Sequence, residues 1–212
     1  MNDISLLIET STERGCVALF RDKTLIYHGI LPFGLQNSAT LFPEIIKAFT
    51  SLGLLPSNLK LIMTGIGPGS YTGIRVGAIV AKTLAFALHI PLIGICSLEG
   101  FIPKEDGTFA SIIDARIGGV YLQTGKKENG AVVSLTAPMV LSIPEAAILI
   151  KEATNITTPS STLLTQRFEK NGDSFNILEV DPDPIQMANK GFCKFEAGNY
   201  RKDQQLELLY LR

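Results

Sequence analysis

A chain of 212 residues, 46% hydrophobic and 18% charged, is long enough for one large domain or two small ones, and it carries no long biased tract of the kind that stays disordered. A net charge of -1 with no block of like charges argues against a protein that grips nucleic acid unaided through a broad basic face, leaving open RNA met within an assembly. Cys16, Cys96 and Cys193 are scattered and odd in number, which argues against a disulfide framework or a zinc site and fits a reducing, cytoplasmic setting.

The opening "MNDISLLIET" has no basic leader, so no signal peptide is expected. "ISLLIET" and the two apolar runs of "GCVALFRDKTLIYHGIL" predict a three-stranded meander. Ser38 can cap a helix in which Leu41, Phe42, Ile45, Ile46, Phe49 and Leu52 recur at helical spacing until Gly53, although Pro43 sits awkwardly inside it. "LKLIMTGI" reads as a buried strand, "GPGSYTG" as a turn, Ile74 to Leu88 as a helix and "IPLIGI" as another strand. Lys82, His89 and Pro91 break the longest apolar run, which therefore predicts a buried helix and a strand rather than a membrane span. This order implies an α/β lobe with a partly parallel sheet.

"KEDGT" marks a boundary, giving lobes 1–103 and 104–212. Beyond it, "ASIIDARIGGVYLQTGKKENGAVVSL" repeats the order of the first meander: apolar strand, acid, small turn, glycine, strand, charged turn, strand. Glu9 and Asp114 occupy matching places, so a structural duplication is expected. The second lobe is poorer in helix, with short helices at "PEAAILIKEA" and "DPIQMANKGFCKFEAG" and a last strand or extended arm at "LELLYLR".

Five glycines stand in the thirteen positions from Gly65 to Gly77. No lysine follows a glycine as a Walker loop requires, and Ser70 stands where a dinucleotide loop needs its third glycine. Two uses stay open. Free amides of a helix starting near Thr72 could meet an anion. Alternatively, Gly67 and Gly69 supply positive backbone angles while Gly73 and Gly77 let a second backbone come close.

The helix that follows has only Arg75, Lys82 and Thr83 as polar side chains, so it should be covered on more than one side, by the preceding helix or by a partner. A cation in a first helical turn opposes the dipole, and Arg75 is expected either to pair with Glu9, with Asp114 or with an anionic ligand, or simply to be solvated. The two acids end apolar strands, where each either serves a metal-bound water or a proton transfer, or simply caps its turn. His28 and His89 share no motif, which leaves a histidine metal site or a histidine triad without support.

"IETST", "GIGPGSYTGIRVG", "IDARIGGVY" and "LYLR" resemble, in that order, the landmarks of the bacterial TsaB family, also called YeaZ-like. The resemblance runs from the first strand to the last residue, with little signal from Thr157 to Phe175. It implies a duplicated α/β fold like that of actin and the sugar kinases (ASKHA) with a reduced C-terminal lobe. It also implies a non-catalytic subunit that binds and activates TsaD and acts with TsaE to place a threonylcarbamoyl group on the adenosine beside the anticodon of certain tRNAs.

Carried over, the contact with TsaD falls on the first two helices, at Leu41, Ile45, Phe49, Tyr71, Thr72, Gly73, Arg75, Val76, Gly77, Val80 and Leu84. A vestigial nucleotide or phosphate site would comprise Glu9, Ser11, Thr12, Gly67, Gly69, Ser70, Asp114 and Arg116. No intrinsic cofactor or metal is expected, with room for ATP or ADP at the partner interface. The tRNA is met through the complex, no membrane is involved, and a homodimer is expected when TsaD is absent. Glu9 replaces the family's usual aspartate and Asn37 a frequent histidine, and the longer acid weighs against a retained nucleotide-metal role. The alternative is a stand-alone ATP-binding enzyme, a small kinase or ATPase; a peptidase has no nucleophile and base to support it.

Overall fold

The computed structural model describes residues 3–34, 37–200 and 205–211. The strands and helices follow in the order β1 (Ile4–Glu9), β2 (Cys16–Arg21), β3 (Thr24–Ile30), α1 (Asn37–Ser51), β4 (Leu59–Gly65), α2 (Tyr71–Leu88) and β5 (Leu92–Ile95). After these come β6 (Gly107–Asp114), β7 (Val120–Glu128), β8 (Ala131–Leu135), β9 (Met139–Leu141) and α3 (Ile143–Ile150). The chain closes with β10 (Asn155–Thr158), α4 (Thr162–Lys170), β11 (Ile177–Glu179) and α5 (Pro184–Glu196).

These elements form two compact units. The chain up to Ser97 joins Pro182–Leu209 in the first, and Leu98–Asp181 belongs to the second with the residues from Tyr210. A single cut between 103 and 104 therefore does not describe the chain. The boundary falls after Ser97, and α5 returns to the first unit because Met187, Ala188 and Phe192 pack with Leu7, Met63 and Ile95 of its sheet.

In the first unit the strand order is β3-β2-β1-β4-β5, with β1 antiparallel to β2 and parallel to β4, and β4 parallel to β5. Along β1, Ile4, Leu6 and Ile8 enter the core beneath α1 and α2, while Leu7 enters the one beneath α5. Both faces of the strand are covered, which is why Ile4, Leu6, Leu7 and Ile8 are all apolar, with only Ser5 polar among them, rather than alternating. α1 contributes Leu41, Ile45, Ala48 and Phe49 to the first of these cores, and α2 contributes Ala81 and Ala85. Pro43 lies on the exposed side of α1. Among the described residues α2 alone has the length and composition to cross a membrane; here it lies on the sheet, with Ile74, Ala78, Ala81 and Ala85 buried.

The second sheet has the order β11-β10-β6-β7-β8, with β9 added to β7. β6 is antiparallel to β7 and parallel to β10, and β10 is parallel to β11. Read from the other edge, the five ordered strands have the same sequence order and sense as those of the first unit: third, second, first, fourth, fifth. α3 and α4 bury Ala146, Ala147, Ile150, Leu164 and Phe168 against Ala110, Ile112, Val120 and Leu122. β10 and α4 fall in the stretch from Thr157 to Phe175 and its approach, where the sequence carried little signal. "LELLYLR" is an extended arm over its described residues, not a strand.

Candidate functional site

β1 ends at Glu9, and the loop that follows runs directly onto the start of α2. The Thr10 hydroxyl donates to the Gly73 carbonyl at 2.8 Å, and the Ser70 amide donates to the Ser11 carbonyl at 2.6 Å. Ser70 is the N-cap, its hydroxyl accepting the Gly73 amide at 3.3 Å. A Cβ on Gly69 would lie 2.3 Å from the Ser11 carbonyl oxygen, and one on Gly73 would lie 2.1 Å from that of Thr10. At Gly77 the obstacle would be the Thr10 hydroxyl, at 2.4 Å. Gly67 and Gly69 have φ of +97° and +153°, as their turn requires.

The second backbone that Gly73 and Gly77 admit is thus the chain's own. Its approach occupies the Ser70 amide with Ser11, while the Ser70 hydroxyl occupies that of Gly73, so two donors of the helix start are already bonded.

Glu9 is fully buried. Its Oε1 accepts the Ser11 amide at 2.5 Å, and its Oε2 makes no hydrogen bond and lies where a Cβ on Gly65 would stand, 2.0 Å away. Burial pushes the carboxyl above its ordinary 4.5, only partly opposed by hydrogen bonding with Ser11, Ser97 and Thr10. Glu9 caps the turn.

Asp114, in the second unit, is held differently. Its Oδ1 accepts the Arg116 amide at 3.1 Å and forms a short ion pair with the Arg167 guanidinium, which also donates to the Gly119 carbonyl at 2.9 Å. Arg116 is exposed, with φ of +55°. Neither acid pairs with Arg75 as expected from the sequence: Glu9 is enclosed and Asp114 is taken by Arg167. The Arg75 guanidinium lies over the Tyr71 ring, 3.7 Å from its centroid. Of the eight residues of the expected vestigial site, Glu9, Ser11, Thr12, Gly67, Gly69 and Ser70 fall in the first unit and Asp114 and Arg116 in the second. Among the described residues no group of three or more His, Cys, Asp or Glu is placed to hold a metal ion.

The residues expected to face a partner divide. Leu41, Ile45, Phe49, Gly73 and Gly77 are buried within the first unit, and Val76, Val80 and Leu84 are half-buried; Tyr71, Thr72 and Arg75 are exposed. Leu41, Ile45 and Phe49 face inward from α1 into the core over the sheet, and Gly73 and Gly77 lie against the Thr10 loop, so none of the five is on the outer surface. The outward sides carry other apolar side chains: Phe42 at 52% and Ile46 at 54% exposure on α1, Ile79 at 63% and Phe86 at 66% on α2. Phe42 and Ile46 stand four residues apart, and Thr72, Arg75, Ile79 and Phe86 follow at intervals of three, four and seven, so each set shares one helix face. Phe42 and Ile46 were visible in the helical pattern, whereas Ile79 and Phe86 were hidden in a run that is apolar on nearly every side.

Residues 21–192 match the family described as TsaD, tRNA N6-adenosine threonylcarbamoyltransferase. A Bacillus subtilis protein described as tRNA threonylcarbamoyladenosine biosynthesis protein TsaB is 32% identical over 150 residues, covering 69% of this chain and 66% of the relative. The Escherichia coli protein of the same description is 34% identical over 131 residues, covering 59% of this chain and 56% of the relative. The chain thus aligns with little more than half to just under two thirds of these relatives' length. The solved structure of YeaZ from Pseudomonas aeruginosa superposes with a TM-score of 0.81 at 20% identity, covering 99% of this chain and 100% of that one, which shows a common fold.

Two outcomes follow from this geometry. Gly73→Ala should cost about 3 kcal/mol in urea denaturation, because its methyl meets backbone rather than a movable side chain. The unfolded chain ionises Glu9 near 4.5 and the folded chain only at higher pH, so the native state loses stability as pH rises above 4.5 toward the folded value. Glu9→Gln should remove that part of the decline in a pH series of melting curves.

Proposed function

Because the chain belongs to the tRNA N6-adenosine threonylcarbamoyltransferase family and is a TsaB/YeaZ-like protein, we propose that it is the non-catalytic subunit that docks on a TsaD homologue during tRNA threonylcarbamoyladenosine synthesis. Its relatives' names place them in that biosynthesis. The observation that carries the reading is the exposure of large apolar side chains on the outward sides of α1 and α2. Phe42, Ile46, Ile79 and Phe86 each offer up to about 1.5–3 kcal/mol on full burial, from which the ordering of the interface and the lost freedom of two proteins must be subtracted. Tyr71, Thr72 and Arg75 continue that face as a polar rim, and Val76, Val80 and Leu84 support it from beneath.

The proposed role includes activation of the TsaD homologue and action with a TsaE homologue in the cytoplasm, with tRNA reached through the complex. The two units fit a duplicated actin-like fold with a reduced second lobe, since they share strand order and sense. Within this chain the first acid is enclosed and the second is held by Arg167, which supports a subunit that performs no phosphoryl chemistry of its own. ATP or ADP, if used, would be held with the partner's help, and the same apolar face would pair two copies when the partner is absent.

Mixing the chain with a TsaD homologue should give a complex by size-exclusion chromatography and calorimetry. Ile79→Asp and Phe86→Asp, both outside the core, should weaken it by about tenfold or more each while leaving the circular dichroism spectrum unchanged. Unchanged affinity in both variants would refute the face. The stand-alone kinase or ATPase reading requires instead that the isolated chain bind magnesium ATP.

A further inference from the structure

The extended segment 205–209 lies over the strand ends from which the glycine loop departs. Leu206 packs against the core beneath α1 and α2. It is seated beside Gly94 of β5, where a Cβ would come within 2.9 Å of Leu206 Cδ1 and 2.6 Å of Ile66 Cγ2. Three residues on, the Leu209 amide donates to the Ile66 carbonyl at 2.8 Å, and the Leu209 carbonyl oxygen lies 3.0 Å from where a Cβ on Gly67 would stand. Two glycines therefore leave the space in which this segment runs, and a hydrogen bond fixes its register on the chain beneath.

What lies beneath is the entry to α2. The Gly67 carbonyl accepts the Ser97 amide at 2.8 Å, and its amide donates to the Ser97 hydroxyl at 3.1 Å. On the α2 side, Ile74 Cδ1 stands 2.7 Å from the position of a Gly67 Cβ. Gly67 is thus enclosed between the Leu209 carbonyl, Ser97 and the first turn of α2. Between Ile66 and Ser70 the chain makes its turn through Gly67 and Gly69, so whatever fixes Ile66 and Gly67 also sets where Ser70 begins the helix.

We propose that Leu206 and Leu209 form a strap that holds the Ile66–Ser70 turn, and through it positions the exposed face of α2. Leu206 is a positioning residue in this account: it is not part of the exposed face. The strap itself is a property of this chain. Its consequence for docking rests on the function proposed above.

Hydrogen exchange read by NMR separates the two parts. In the full chain carrying Leu206→Ala, and in a chain ending at residue 204, the amides of Ser70, Gly73 and Ser97 should exchange about tenfold faster while those of the β1–β2 ladder and of the second unit keep their rates. Unchanged rates at the three amides would overturn the strap, as would equal acceleration throughout the first unit, which would mean only general loss of stability. Affinity for the TsaD homologue, measured by calorimetry, should fall about fivefold or more in Leu206→Ala. Local acceleration with unchanged affinity would overturn the docking consequence. A wild-type chain that does not bind the homologue would overturn the proposed function and leave the exchange result to decide the strap.

Discussion

The first unit depends on one close approach, that of the Thr10–Ser11 backbone to the opening turn of α2. Two short hydrogen bonds tie them, Thr10 hydroxyl to Gly73 carbonyl and Ser70 amide to Ser11 carbonyl. Side chains at Gly69, Gly73 or Gly77 would each meet an oxygen of that loop well inside contact distance. The glycines are therefore required by packing between two pieces of one chain. Neutral hydrogen bonds of this kind contribute about 1 kcal/mol each, but leaving their buried partners unpaired costs more. This asymmetry holds the loop and helix in one arrangement.

Fixing the start of α2 fixes its rotation, and with it the division between covered and uncovered residues. Gly73, Gly77, Ala81 and Ala85 go inward, where small side chains let the helix lie close to the sheet and the Thr10 loop. Ile79 and Phe86 go outward. Groups that could have served chemistry are taken up by the same architecture: Glu9, fully buried, by the Ser11 amide, and Asp114 by Arg167.

Much of this was legible in the sequence. The mainly apolar runs of β1 and β4 announced buried strands, the mostly apolar α2 run announced a helix covered on more than one side, and the glycine turn announced a helix start near Thr72. The meander after Asp114 repeated that after Glu9. Other features depended on contacts far apart in the chain. Arg167, the partner of Asp114, lies 53 residues away on a helix that the sequence did not reveal. Thr157 and Thr158 look like surface residues and are fully buried, because their hydroxyls bond the carbonyls of Phe101 and Ser160. The return of α5 to the first unit rests on packing against Leu7 and Met63, which no local pattern records. On α1, Phe42 and Ile46 are as apolar as Leu41 and Ile45. Only the position of the sheet decides which pair faces out.

The central claim is that the outward face of α1 and α2 receives the TsaD homologue. Hydrogen exchange measured by mass spectrometry, with and without that homologue, tests it most directly. Peptides spanning 39–47 and 75–87 should gain protection together when the homologue is added. Protection confined to other segments, or none at concentrations where the two proteins co-elute, would contradict the account.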